Sequence, residues 1–143
     1  MSKDKIKKKV LIAAKNAGQA DWLVEAVNRL LNIEEIEVTI FNVLEVPITS
    51  PLYEDQFKDE IKLREAEFKK IVAELNELGC KSSVKVVIAR DVGEAILEEV
   101  EEEKFDLIVM TGKIVEKLIR KGPIWKVVSK SKVPVLFVPL HER

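Results

Sequence analysis

Five short apolar runs constrain this chain more than any other feature. Val10-Leu11-Ile12-Ala13-Ala14, Val38–Val43, Val84–Ala89, Leu107–Met110 and Val133–Val138 are strand-sized and mostly β-branched or aliphatic. The first is continuously apolar, as a strand buried on both faces is. Between the runs lie stretches with helical spacing, and strands that alternate with helices imply a parallel sheet covered on both faces. The fold class is therefore α/β, a single doubly wound five-stranded parallel sheet over residues 1–143. Five strands leave two common orders open, 3-2-1-4-5 and 2-1-3-4-5. In either, a ligand sits beyond the carboxyl ends of the strands at the switch point.

The helices carry their own start and stop signals. Gly18 loosens the chain before a helix over Gln19–Leu31, whose stripe is Leu23, Val27, Leu30 and Leu31. Pro47 and Pro51 mark a loop. A long helix follows over Glu54–Leu78, with Phe57, Ile61, Phe68, Ile71, Val72, Leu75 and Leu78 on one face and Gly79 as its stop. Asp91 caps a helix that buries Val92, Ile96 and Val100 and turns Glu98, Glu99 and Glu101 to Glu103 to water. Gly122-Pro123 opens the last helix, whose inner face is Ile124, Val127 and Val128. Trp22 and Trp125 are expected to pack helices, with Trp125 as an alternative cover for the cleft.

Charge and rare residues narrow the function. Lys and Arg total 24 against 25 Asp and Glu, so the surface as a whole offers no pull toward nucleic acid or an anionic membrane. The apolar runs are far short of a membrane span. Met1 to Lys9 is basic but lacks the apolar stretch of a signal peptide. Cys80 is the only cysteine, which excludes an intrachain disulfide, favours a cytoplasmic home and is read as plain packing. His141 is the only histidine and lies in the C-terminal tail, so neither a His-based triad nor a His-rich metal site can form. No catalytic set is expected, and no metal. Asp91 at a strand end invites comparison with a phospho-acceptor, but Lys15-Asn16-Ala17-Gly18 offers no acidic partner for magnesium.

Val92-Gly93-Glu94-Ala95-Ile96-Leu97, leading through Glu101-Glu102-Glu103 into Asp106–Met110, and the closing strand Val133-Pro134-Val135-Leu136-Phe137-Val138 resemble the universal stress protein family. The resemblance runs over nearly the whole chain. It implies a Rossmann-like sheet of the adenine-nucleotide alpha-hydrolase type, order 3-2-1-4-5, with the switch point between strands one and four. It also implies a homodimer in which the last strand pairs with its copy, through Val133, Val135, Leu136, Phe137 and Val138.

Nucleotide-binding members of that family carry an aspartate after the first strand and a Gly-x2-Gly-x9-Gly-Ser/Thr loop after the fourth. Here Lys15 stands at the aspartate's position, Thr111 at the first glycine, Ile114 near the second, and Gly122-Pro123 at the last pair. Site positions carried over are Ala14 and Lys15, Asn42 and Val43, and Thr111, Gly112, Lys113 and Gly122. The leading expectation is a dimeric binding or regulatory protein without the family's usual ATP binding and with no cofactor. It would act through an unidentified protein partner or a small anionic ligand. Lys15, Lys113, Lys117, Arg120 and Lys121 could approach one anion, or stand solvated as surface lysines mostly do. The competing expectation is an ATP or AMP binder, or slow ATPase, using Thr111, Gly112 and Gly122 in a shifted loop.

Overall fold

A computed structural model of the chain describes residues 7–112 and 122–140. In chain order the elements are β1 (Lys8–Ala13), α1 (Ala17–Leu30), β2 (Ile36–Glu45), α2 (Glu54–Glu77), β3 (Lys81–Ala89), α3 (Val92–Glu102), β4 (Leu107–Gly112), α4 (Pro123–Lys130) and β5 (Val135–Pro139). A short 3-10 turn, Ile33–Glu35, precedes β2. The strands form one sheet of order β3-β2-β1-β4-β5, and every pairing is parallel. Of the two orders left open by the strand count, the structure takes the one implied by the resemblance.

Period-two alternation divides the core between the two faces. Val10 and Ile12 of β1, Val38 and Ile40 of β2 and Val109 of β4 meet Leu23 and Val27 of α1 and Phe68, Ile71 and Leu75 of α2. Their neighbours Leu11, Phe41, Ile108 and Met110 point the other way, onto Ile96 and Val100 of α3 and Val127 of α4. A one-residue slip would exchange the two sets, so the hydrophobic pattern itself holds the register. Gly79 ends α2 with φ of +88°, the left-handed conformation that suits glycine.

Several boundaries and faces differ from expectation. Gly18 lies inside the first turn of α1, and Asn16 is the N-cap, its side chain accepting from the Gln19 N–H. Leu30, Leu31, Leu78 and Val128 were expected on buried faces, yet all are exposed. Each lies within a turn of a helix end. Trp125 is also exposed, whereas Trp22 packs against the α1–α2 core and donates its indole N–H to the Pro139 carbonyl. Glu99 does not face water. It is buried and receives the Lys85 ammonium on both carboxylate oxygens at 2.9 Å, which raises the Lys85 pKa. Val133 precedes β5 rather than opening it, its N–H and carbonyl both tied to the Ser131 hydroxyl. Lys113, Lys117, Arg120, Lys121 and His141 lie outside the described residues. No described helix is long and apolar enough to cross a membrane.

Candidate functional site

The sheet order reverses between β1 and β4, and their carboxyl ends splay there around a cleft of about 570 Å³. Its described walls include Ala14 and Lys15 after β1, Asn42, Val43 and Glu45 on β2, Thr111 and Gly112 on β4, and Ile124 on α4. Arg64 reaches it from α2.

The β1–β2 side is built around Asn42, which is buried. Its amide nitrogen donates to the Ala14 carbonyl at 2.8 Å and to the Lys15 carbonyl at 3.4 Å. Its oxygen accepts from Arg64 Nη1 at 3.0 Å, and the same nitrogen donates to the Val43 carbonyl at 3.3 Å. Glu60, one turn earlier on α2, takes Arg64 Nη2 at 3.2 Å. Arg64 therefore occupies strand-end backbone that would otherwise be open to a ligand. Lys15 is exposed at the rim, its N–H donated to the Gln19 side chain, and it makes no ion pair among the described residues. The first turn of α1 is already served: Glu67 accepts from the Ala17 N–H at 2.7 Å and Asn16 from the Gln19 N–H at 2.9 Å. A carboxylate there suits the positive end of the helix dipole.

The β4–α4 side is closed differently. Ile124 lies so close over Gly112 that a Cβ built on that glycine would sit 2.6 Å from the isoleucine Cδ1. The isoleucine methyl would have to swing aside for a side chain at 112, and as it stands it covers the surface that glycine would offer a phosphate. The Thr111 hydroxyl donates to the Val138 carbonyl of the neighbouring strand. Pro123 at the start of α4 brings no N–H.

The match to the description of the universal stress protein family covers residues 7–139. The chain belongs to the universal stress protein family. No curated protein matches it in sequence. Among solved structures it resembles a hypothetical protein used as a test case for assigning biochemical function from structure. That likeness has 24% identity, 97% of this chain and 100% of the other covered, and a TM-score of 0.71. It also resembles an Arabidopsis thaliana universal stress protein with AMP bound, at 15% identity, 94% and 92% coverage and TM-score 0.66. A third likeness is to the Archaeoglobus fulgidus universal stress protein in complex with dAMP, at 17% identity, 93% and 98% coverage and TM-score 0.62. At these identities the likenesses establish the fold.

As a universal stress protein, the chain brings most of its sequence-derived site positions together. Ala14, Lys15, Asn42, Val43, Thr111 and Gly112 all line the cleft. Their chemistry is less open than their positions suggest, because the Ala14 and Val43 carbonyls, the Asn42 side chain and the Thr111 hydroxyl are engaged within the protein. Gly122 serves as N-cap of α4, its carbonyl accepting from the Lys126 N–H, and lies off the described lining. Lys113 is outside the described residues. Sequence reading missed Arg64, Glu45 and Gln19, and for Arg64 a signal existed. It interrupts the apolar stripe of α2 between Ile61 and Phe68, where helical spacing asks for an apolar residue.

Asp91 is a cap, as its position suggested. Its Oδ1 accepts from the Glu94 N–H and its Oδ2 from Lys126 Nζ, both at 2.9 Å. The Glu94 N–H first, and Lys126 second, hold its carboxyl below the usual carboxylate range. Stability from this depressed pKa is fully present above the ordinary aspartate value and is lost as pH falls through the folded one. Asp91→Ala should cost about 1 kcal/mol at neutral pH, as N-cap losses do, with little added by the half-exposed ion pair. Urea unfolding of both proteins should show that deficit shrinking on acidification through that window. A deficit independent of pH would mean that the carboxylate charge is irrelevant to the cap.

Proposed function

We propose that this universal stress protein is a non-enzymatic, homodimeric regulatory module that takes a small ligand in the β1–β4 cleft without the family's usual ATP binding. The observation that carries this reading is Ile124 lying on Gly112. A phosphate cradle needs backbone amides that oxygen atoms can approach closely, and here that approach is filled by a side chain. Pro123 and the engaged Thr111 hydroxyl work in the same direction. The non-catalytic part is supported by the same commitment of Thr111. It is the only hydroxyl on the described lining, and it is donated to the Val138 carbonyl.

Adenine mononucleotide binding is the second reading, because related structures are described with AMP, dAMP and, in a further case, cAMP. Titration calorimetry with ATP and AMP, with native mass spectrometry of freshly purified protein, separates the two. The expected result is an empty dimer with no micromolar binding of ATP. Tight ATP binding that Gly112→Val removes would overturn the proposal and turn attention to hydrolysis.

A further inference from the structure

Charge and apolar surface occupy opposite ends of the cleft, and that division selects a class of ligand. Lys15 and Arg64 stand at the β1–β2 end. Asn42, Val43 and Glu60 engage three of Arg64's N–H groups, which fixes the guanidinium and leaves two of its five donors for a ligand. The side chain keeps 32% of its surface exposed and contributes to the cleft lining. Toward α3, β4 and α4 the described wall is mostly apolar, with Ile96, Met110 and Ile124 beside Thr111.

Resting on the reading of this cleft as a ligand site, we infer that its ligand is an amphipathic monocarboxylate. The carboxylate meets Lys15 and Arg64, and the hydrocarbon body lies over Ile96, Met110 and Ile124. An arginine fork held by other side chains is suited to a planar carboxylate. Glu45 shares the lining, so the described walls carry two cations and one carboxylate. Arg64 is already paired with Glu60, which leaves Lys15 as the lining cation without an ion pair among the described residues. The volume, about 570 Å³, falls within the range of about 300–1,000 Å³ usual for small-molecule pockets. The charged end is therefore opposite to the β4 corner where the family's glycine loop would hold phosphates.

Titration calorimetry with octanoate, octanamide, inorganic phosphate and AMP tests the assignment. Octanoate is expected to bind, with octanamide and phosphate each roughly tenfold weaker or more, since one lacks the charge and the other the apolar body. Lys15→Gln and Arg64→Gln should each weaken octanoate by about tenfold. Arg64→Gln also releases Asn42, so Lys15→Gln, at an exposed side chain, keeps the test independent of folding. Equal binding of octanoate and octanamide, or of octanoate and phosphate, would overturn the inference. Binding of AMP with none of octanoate would overturn it while leaving a ligand-binding cleft. Silence from both would remove the ligand site as well.

Discussion

Replacing Phe68 by alanine is expected to destabilise the fold by about 3–5 kcal/mol, a large part of the roughly 5–15 kcal/mol available to a domain. Phe68 is wholly buried where α2 crosses the sheet, among the side chains of β1, β2 and α1. At 24 residues, α2 is about 36 Å long, close to the roughly 33 Å of the ten-residue β2. Its fully buried side chains, Phe68, Ile71 and Leu75, all lie in its carboxyl-terminal half. The other half is held by that anchor and carries Arg64 one turn from Phe68 to the cleft. Leu63→Ala supplies the control. That side chain is 71% exposed on the same helix, so its loss should stay within about 0.5 kcal/mol. Thermal and urea unfolding by circular dichroism would read both, with a melting point more than about 10 °C lower for Phe68→Ala. Similar losses for the two variants would mean that α2 docks by a different face.

What the sequence made legible follows from how local each signal is. Strand existence, sheet class and the caps at Asp91 and Gly79 depend on neighbouring residues, and each appears where its local pattern placed it. Leu30, Leu78 and Val128 were misjudged because helical periodicity describes a face and is silent on what covers it near the helix ends. Glu99 was misjudged because its partner Lys85 is on β3, fourteen residues away, and only the fold makes them adjacent. The cleft shows the same division. Its location comes from topology and was readable. The commitment of Asn42 to Ala14 and Arg64 was not, since it joins β1, β2 and α2 across 28 and 22 residues of sequence.

The second large effect is expected at β5, where Val135→Pro should convert the proposed dimer to monomer without unfolding the chain. The Ile108 N–H donates to the Pro134 carbonyl and the Leu140 N–H to the Gly112 carbonyl, each at 3.0 Å. Backbone groups of alternate residues point to opposite sides of a strand, so 134, 136, 138 and 140 face β4. Val135 and Phe137 then present their N–H groups to the outer edge, and Pro139 has none to present. Proline at 135 removes an edge donor and leaves the β4 ladder intact. The two edges of the sheet are protected differently. β3 carries Lys81 and Lys85, which discourage edge pairing, whereas β5 reads Val-Leu-Phe-Val-Pro with no charge. Beside it Trp22, Leu30, Leu136 and Val138 line a shallow groove of about 320 Å³, and Leu30 is 64% exposed. A second β5 laid antiparallel along this edge would satisfy the free donors and cover that surface. Two-fold symmetry makes each lost donor count twice, so dimer affinity should fall by roughly ten- to a hundredfold or more. Light scattering across a dilution series should find the wild-type chain at twice its own mass and Val135→Pro at one. A variant that stays dimeric would move the seam away from β5. A wild-type monomer would leave Pro139 as the edge's main protection against further pairing.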